Sequence, residues 1–237
     1  MSQHSPTAAS TDRTPANCDF CAIEAGADKI GDTNPLLERS LSIPLQTEWF
    51  IVFPDAAPIA PRHSLIVPRH HALSFGRLTT DAQAAAIDLA THIATQFDHP
   101  ADHDPVIFEH GSREASGDIG CSITHAHLHV LFLPSGTVDN FEFHDEFDAY
   151  PTLWAGWEAM GANDYYLFGE LNNGVQATVV QEDPALACSM FLRKRFAGQL
   201  GRPDLANYRR YQSGEPDDML PEVGRTQDAL LEMNPPR

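Results

Sequence analysis

The sequence predicts an α+β protein built on an antiparallel sheet, with a C-terminal α/β extension. Three observations lead there. Short apolar runs bounded by proline, glycine or polar clusters recur at 48–53, 63–67, 105–109 and up to Pro134. One long stretch, 78–98, carries apolar residues at helical spacing. No regular alternation of strand and helix appears, which a parallel sheet with crossover helices would need.

Along the chain, "TEWFIVFPDAAPIAPRHSLIVP" reads as two strands, 48–53 and 63–67, joined by a loop stiffened by Pro54, Pro58 and Pro61. In "LTTDAQAAAIDLATHIATQFD", Thr80 is the expected N-cap, with Gln83 three residues on as in a capping box. Ala86, Leu89, Ala90, Ile93 and Phe97 form the core face of this helix, and His99-Pro100 closes it. "PVIFE" at 105–109 is a further strand, and another follows after a Gly- and Ser-containing loop. "DYYLFGELNNGVQATVV" reads as a hairpin turning at Asn172-Asn173-Gly174. A helix is expected after it, with Asp183 as N-cap, Pro184 at the first position and Gly201 as the stop. The tail from 213 reads as irregular and loosely packed.

At 237 residues the chain suits one large domain or a domain with an extension. Residues 1–16 read as a disordered lead, 17–139 as the main domain and 140–237 as an extension packed on it. No apolar run approaches the roughly 20 residues of a membrane span, and the polar N-terminus lacks a signal peptide's basic start and apolar core, so the expected location is the cytoplasm. A net charge of −18 argues against nucleic acid as a partner. It leaves room for a small nucleotide, whose phosphates histidines and backbone N–H groups can hold.

Within "GCSITHAHLHVLF", His125, His127 and His129 alternate with Ala126, Leu128 and Val130. A strand has a period of two, so one face would carry three imidazoles and the other an apolar row. Successive histidines on that face would stand roughly 7 Å apart at their roots. Spacing alone leaves open a His-rich exposed edge or a weak metal patch. Four cysteines are too few for a disulfide scaffold at this length. Cys18 and Cys21 form "CDFC", a spacing that zinc sites and redox motifs share, and no thioredoxin-like context surrounds it.

"HAHLHVL" resembles the hallmark of the histidine-triad superfamily. "FPDAAPIAPRHSLIVPRHH", 53–71, is similar to the family's run of Asp, proline-rich loop, His, strand and Pro-Lys-x-His, and "CDFCAIEAG" resembles its common opening. "GCSITHAH" is also similar to the galactose-1-phosphate uridylyltransferase branch. The three motifs fall in the right order over residues 18–134, and 140–237 lies outside the resemblance.

The resemblance implies a nucleotide-binding fold and an enzyme that cleaves at an α-phosphate. His127 would be the nucleophile that becomes nucleotidylated, and His129 the neighbour contacting the phosphate. Gly120 and Ser122 would belong to the loop holding phosphate oxygens. Asp55 would accept bonds from ribose hydroxyls, its alternative being a turn residue, and His63 would pack beside the triad as a catalytic or a buried structural histidine. A structural Zn2+ is implied at Cys18, Cys21, His71 and His125, the alternatives being two free thiols and a catalytic His125. Substrates would be dinucleoside polyphosphates or nucleoside phosphoramidates. Analogy also allows a homodimer. The alternatives are a nucleotidyltransferase or phosphorylase, and a zinc-stabilised nucleotide-binding module with little turnover.

The chain departs from the pattern at 109–110, at Arg62 and at His129, which stands where the transferase branch typically has Gln and favours water as the acceptor. Glu109 and His110 stand where the family usually has Asn, and Glu109 is expected to orient a histidine or face away. Arg62, beside His63, is expected to serve the surface. Arg193, Lys194 and Arg195 are expected on a solvated helix face, outside the site.

Overall fold

The structure is a computed structural model that describes residues 18–25, 43–113, 125–141, 146–171, 173–180, 190–207, 210 and 218–236. Eight strands form one antiparallel sheet in the order β1-β2-β3-β5-β4-β7-β8-β6. They are β1 (Leu45–Gln46), β2 (Phe50–Pro54), β3 (Ser64–Pro68), β4 (His103–Gly111), β5 (Leu128–Pro134), β6 (Asp148–Tyr150), β7 (Tyr165–Glu170) and β8 (Gly174–Val179). The helices are α1 (Asp19–Glu24), α2 (Thr80–Gln96), α3 (Leu153–Met160), α4 (Phe191–Gln199) and α5 (Leu220–Glu232). The antiparallel α+β architecture read from the sequence is the one observed, and no described helix is long and apolar enough to cross a membrane.

The sheet does not stop where the triad motif ends. β7 pairs with β4 from Val106↔Glu170 to Gly111↔Tyr165, and the expected hairpin carries the sheet on through β8 to β6. The edges are left to two short strands, which limits pairing with another chain.

Alternation sorts each strand between two cores. On one face, Leu128, Val130, Phe132 and Ile107 meet Ala86, Leu89, Ala90 and Ile93 of α2 and Trp157 of α3. On the other, Phe108, Leu131 and Leu133 meet Phe191, Leu192 and Phe196 of α4. A third cluster seats Phe20 and Ile23 of α1 on Phe53, Leu65 and Val67.

Several boundaries differ from the sequence reading. α2 is capped by Thr79, whose hydroxyl accepts from Ala82 N–H, so Thr80 is the first helical residue. Gln83 therefore falls outside the box position; its side-chain amide donates to Phe75 O and accepts from Trp154 instead. The tail is not wholly irregular. In α5, Val223, Thr226 and Leu230 recur at helical spacing and are buried, with Pro221 in the first turn where no N–H is needed. The predicted start at Asp183 and Pro184 lies outside the described residues. Gly201 does end α4: its φ of +69° lets its N–H reach Gly198 O, while Arg202 N–H reaches Ala197 O.

Candidate active site

β5 begins at Leu128, so His125 and His127 lie on an extended approach to the strand and His129 lies within it. The alternation nevertheless holds. Ala126, Leu128 and Val130 enter the α2 core, while Phe20 lies edge-on to both His125 and His127, at ring centroids 5.8 and 5.4 Å away. The His127 and His129 rings are 4.9 Å apart.

Hydrogen bonding fixes how these rings carry their protons. A carbonyl oxygen only accepts, so a ring nitrogen facing one must hold hydrogen. His127 Nδ1 lies 2.8 Å from His125 O and therefore donates, leaving the Nε2 lone pair free. Burial pushes the pKa of this ring below its ordinary value, keeping it neutral and nucleophilic.

A second chain orients His129. Ile59 N–H donates to His63 Nδ1 at 3.2 Å, so the His63 hydrogen sits on Nε2. That nitrogen is 2.8 Å from His129 Nδ1, to which it donates. Burial holds His63 down at about 3 and, with His127, His63 and Arg193 beside it, holds His129 well below the ordinary value. Neutral His129, accepting at Nδ1, keeps its own hydrogen on Nε2. Phe108 stacks on the ring at 4.0 Å and 14°, so it cannot tilt.

Asp55 has both carboxylate oxygens engaged by the protein. It is buried, Oδ1 accepts from Ala57 N–H at 2.7 Å, and Oδ2 accepts from Arg193 Nη1 at 2.6 Å. Oδ2 also lies 3.5 Å from His63 Nε2 and 3.6 Å from His129 Nδ1. Burial alone would push this carboxyl up; the Arg193 guanidinium, His63 and the Ala57 N–H outweigh it and hold it well below the usual carboxylate range.

Arg193 corrects the sequence reading. Of the three basic residues, Lys194 is exposed and Arg195 half-buried; Arg193 turns inward among Phe191, Leu192 and Phe196 and is 6% exposed. No local pattern marks it, because its partner lies 138 residues away. Asp55, His63 and His129 also place donor atoms within 4.8 Å of one another, but the guanidinium already sits on the carboxylate, so the group is a hydrogen-bonded network. Arg62 bonds Arg225 O and lies over Phe97, serving the surface as expected.

Glu109 takes the second expected course and faces away. It is fully buried on the α3 side, where Oε1 accepts from Phe75 N–H and Oε2 from Trp157 Nε1, both at 2.8 Å. His110 stays on the site side, packed on Tyr166 at 4.7 Å. Gly120 and Ser122 lie outside the described residues.

The other end of the triad forms a separate cluster. Cys18, Cys21, His71 and His125 bring one donor atom each within 4.8 Å of all the others. Cys18 and Cys21 Sγ are 3.3 and 3.4 Å from His125 Nδ1, and Cys21 Sγ is 3.5 Å from His71 Nδ1. Ligand bonds of the usual zinc lengths at the tetrahedral angle put sulfur and nitrogen about 3.6 Å apart. His125 Nε2 donates to Pro68 O at 2.8 Å, which leaves Nδ1 free to be a ligand atom. The four residues could hold a metal ion.

Comparison with known families matches residues 40–134 to the HIT domain. Comparison with curated proteins finds no match. Among solved structures, similarity extends to a zinc-bound histidine triad family protein from Mycobacterium smegmatis, at 22% identity, 53% of this chain, 80% of that one and a TM-score of 0.37. A hypothetical protein from Leishmania major gives 21%, 50%, 74% and 0.37, and a histidine triad nucleotide-binding protein from Candida albicans 21%, 50%, 76% and 0.34. The triad and its flanking strands lie within the matched residues, so residues 40–134 of this chain are a HIT domain.

Proposed function

We propose that the protein is a nucleotide hydrolase that cleaves at the α-phosphate through a nucleotidylated His127. The observation that carries this reading is the opposed protonation of two adjacent rings. His127 presents a lone pair at Nε2 because Nδ1 is committed to His125 O, and His129 presents N–H at Nε2 because Nδ1 accepts from His63. One ring is set to attack and its neighbour to donate.

In the first step His127 Nε2 attacks the α-phosphorus in line, forming an N–P bond as the bond to the leaving group breaks. The leaving group departs with the bonding pair, a polyphosphate as its anion and an amine after taking a proton from solvent. The positive charge that develops on the ring is stabilised through Nδ1–H by the His125 carbonyl. His129 Nε2–H donates to a non-bridging phosphate oxygen, where negative charge accumulates. Water then attacks phosphorus and releases a proton to solvent, the N–P bond breaks and His127 recovers its lone pair. Splitting one hard displacement into two is the gain that a covalent intermediate brings. Asp55, committed to Ala57 and Arg193, acts on the histidines in this reading rather than on the sugar.

Cys18, Cys21, His71 and His125 would hold Zn2+ as a closed structural site. When bound, the ion supplies a cross-link between α1, the end of β3 and the approach to β5, and no open position for catalysis. The chain's own residues do the chemistry.

Intact-mass analysis after mixing with dinucleoside polyphosphates and nucleoside phosphoramidates tests the proposal. A nucleoside monophosphate adduct is expected on the wild type and absent from His127→Ala. Turnover by His127→Ala at the wild-type rate would overturn it.

A further inference from the structure

Arg193 reaches from the C-terminal part of the chain to Asp55, beside the triad. Its guanidinium makes a closed set of contacts: Nη1 to Asp55 Oδ2 at 2.6 Å, Nη2 to Ala57 O, and Nε to Ala206 O at 3.4 Å. Part of this duplicates work done elsewhere. Arg210 also bonds Ala57 O, at 2.9 Å, and Pro58 O, at 2.7 Å, so the 57–58 turn has a second clamp. What Arg210 does not duplicate is the ion pair with Asp55.

That pair sits against a choice of tautomer. Asp55 Oδ2 is 3.6 Å from His129 Nδ1, the nitrogen that must stay bare to accept from His63. A buried carboxylate without a counter-ion is a strong proton acceptor, and an imidazole nitrogen beside it takes hydrogen in order to donate to it. His129 would then hold hydrogen on Nδ1 and turn an acceptor, or a full positive charge, toward the site. The groups facing the ring are Phe108 stacked from β4, His63 and Asp55 from the β2–β3 connection, His127 from its own segment and Arg193 from α4. Of these, Arg193 alone carries a fixed positive charge, and it lies on the same oxygen.

We infer that Arg193 is a positioning residue: by holding Asp55 Oδ2 it keeps the His129 hydrogen on Nε2, directed at the phosphate. The inference rests on the roles given above to His127 and His129, and it makes α4 part of the machinery although α4 touches no reacting atom. Arg193 also depresses the proton affinity of His129, which acts in the same direction.

The test is nitrogen-15 NMR of the imidazoles in the full-length protein, with His129 identified by its loss in His129→Gln. In the wild type at neutral pH, His129 is expected to show a protonated Nε2 and a bare Nδ1; the reverse, or an imidazolium, would overturn the inference without any variant. In Arg193→Met the hydrogen is expected to move to Nδ1 or the ring to become charged, with adduct formation slowed about 100-fold, the scale of one lost transition-state donor. Asp55→Asn with Arg193→Met removes the carboxylate as well and is expected to restore the Nε2–H form and most of the rate. A buried carboxylate stripped of its partner strains the fold, so Arg193→Lys is read in the same way if the Met variant does not fold, with a mixture of tautomers expected. Unchanged His129 signals in a folded Arg193 variant would reduce Arg193 to a structural clamp. The NMR outcome does not depend on turnover. A tautomer shift without any nucleotide adduct would sink the hydrolase reading and leave this one standing; an adduct with an unmoved tautomer would do the opposite.

Discussion

Trp157 donates its indole N–H to Glu109 Oε2 at 2.8 Å, tying α3 to the middle of the sheet from the side opposite His129. Neither end of this bond sees solvent. Burial pushes the Glu109 carboxyl up from 4.5 to about 7, against the pull of Phe75 N–H, Tyr165 and Trp157.

A pH dependence of stability follows, with a definite sign. Below pH 4.5 Glu109 is protonated both folded and unfolded, and contributes no pH dependence. Between 4.5 and about 7 the unfolded chain ionises first, so the folded state loses stability as pH rises. Across that window the loss is on the order of 3 kcal/mol and is constant above it. In Glu109→Gln this component should vanish. Urea midpoints of the two proteins, compared from pH 4 to 8, should converge on the acid side and separate with rising pH.

The cysteine–histidine cluster predicts one equivalent of zinc per chain in protein purified with zinc present. Cys18→Ser should abolish high-affinity binding, because three ligands leave the tetrahedron open. Chelation or that variant should lower the melting temperature by roughly 10 °C, from a linkage term of about 4 kcal/mol in a chain of this size. Metal analysis and calorimetry on one sample read both.

Phe20 connects the cluster to the nucleophile, sitting between the two cysteines and packing edge-on to His127 at 5.4 Å. Phe20→Ala leaves all four ligands in place. Zinc content should be unchanged while nucleotidylation slows by about 10-fold, since small displacements of an attacking atom cost rate steeply. Rapid-quench measurement of adduct formation, at fixed metal content, separates this from loss of the site.

Much of this was legible in the chain because it is written locally. The period-two alternation around His127 sorts rings from core, Cys18 and Cys21 lie three positions apart on one turn, and the runs ending in Pro54 and Pro68 mark paired strands. What could not be read is held by distance. Arg193 reaches Asp55 across 138 residues, and its sequence neighbours Lys194 and Arg195 make it look like part of a solvated charge run. Glu109 stood out as a departure, yet its direction depended on Trp157, 48 residues on, in a segment whose sequence is acidic and aromatic without a clear helical period. α5 was hidden by Pro221 and Gly224, which mask the spacing of Val223, Thr226 and Leu230. The α2 cap moved by one residue because Thr79 and Thr80 are chemically equal candidates and tertiary contacts of Gln83 decided between them.

The stereochemical course at phosphorus tests the central claim most directly. With a substrate made chiral at an α-phosphorothioate and hydrolysis in isotopically labelled water, two in-line displacements, first by His127 and then by water, predict overall retention of configuration. Inversion would mean that water attacks the substrate itself, and the account of His127 as a covalent nucleophile would be contradicted.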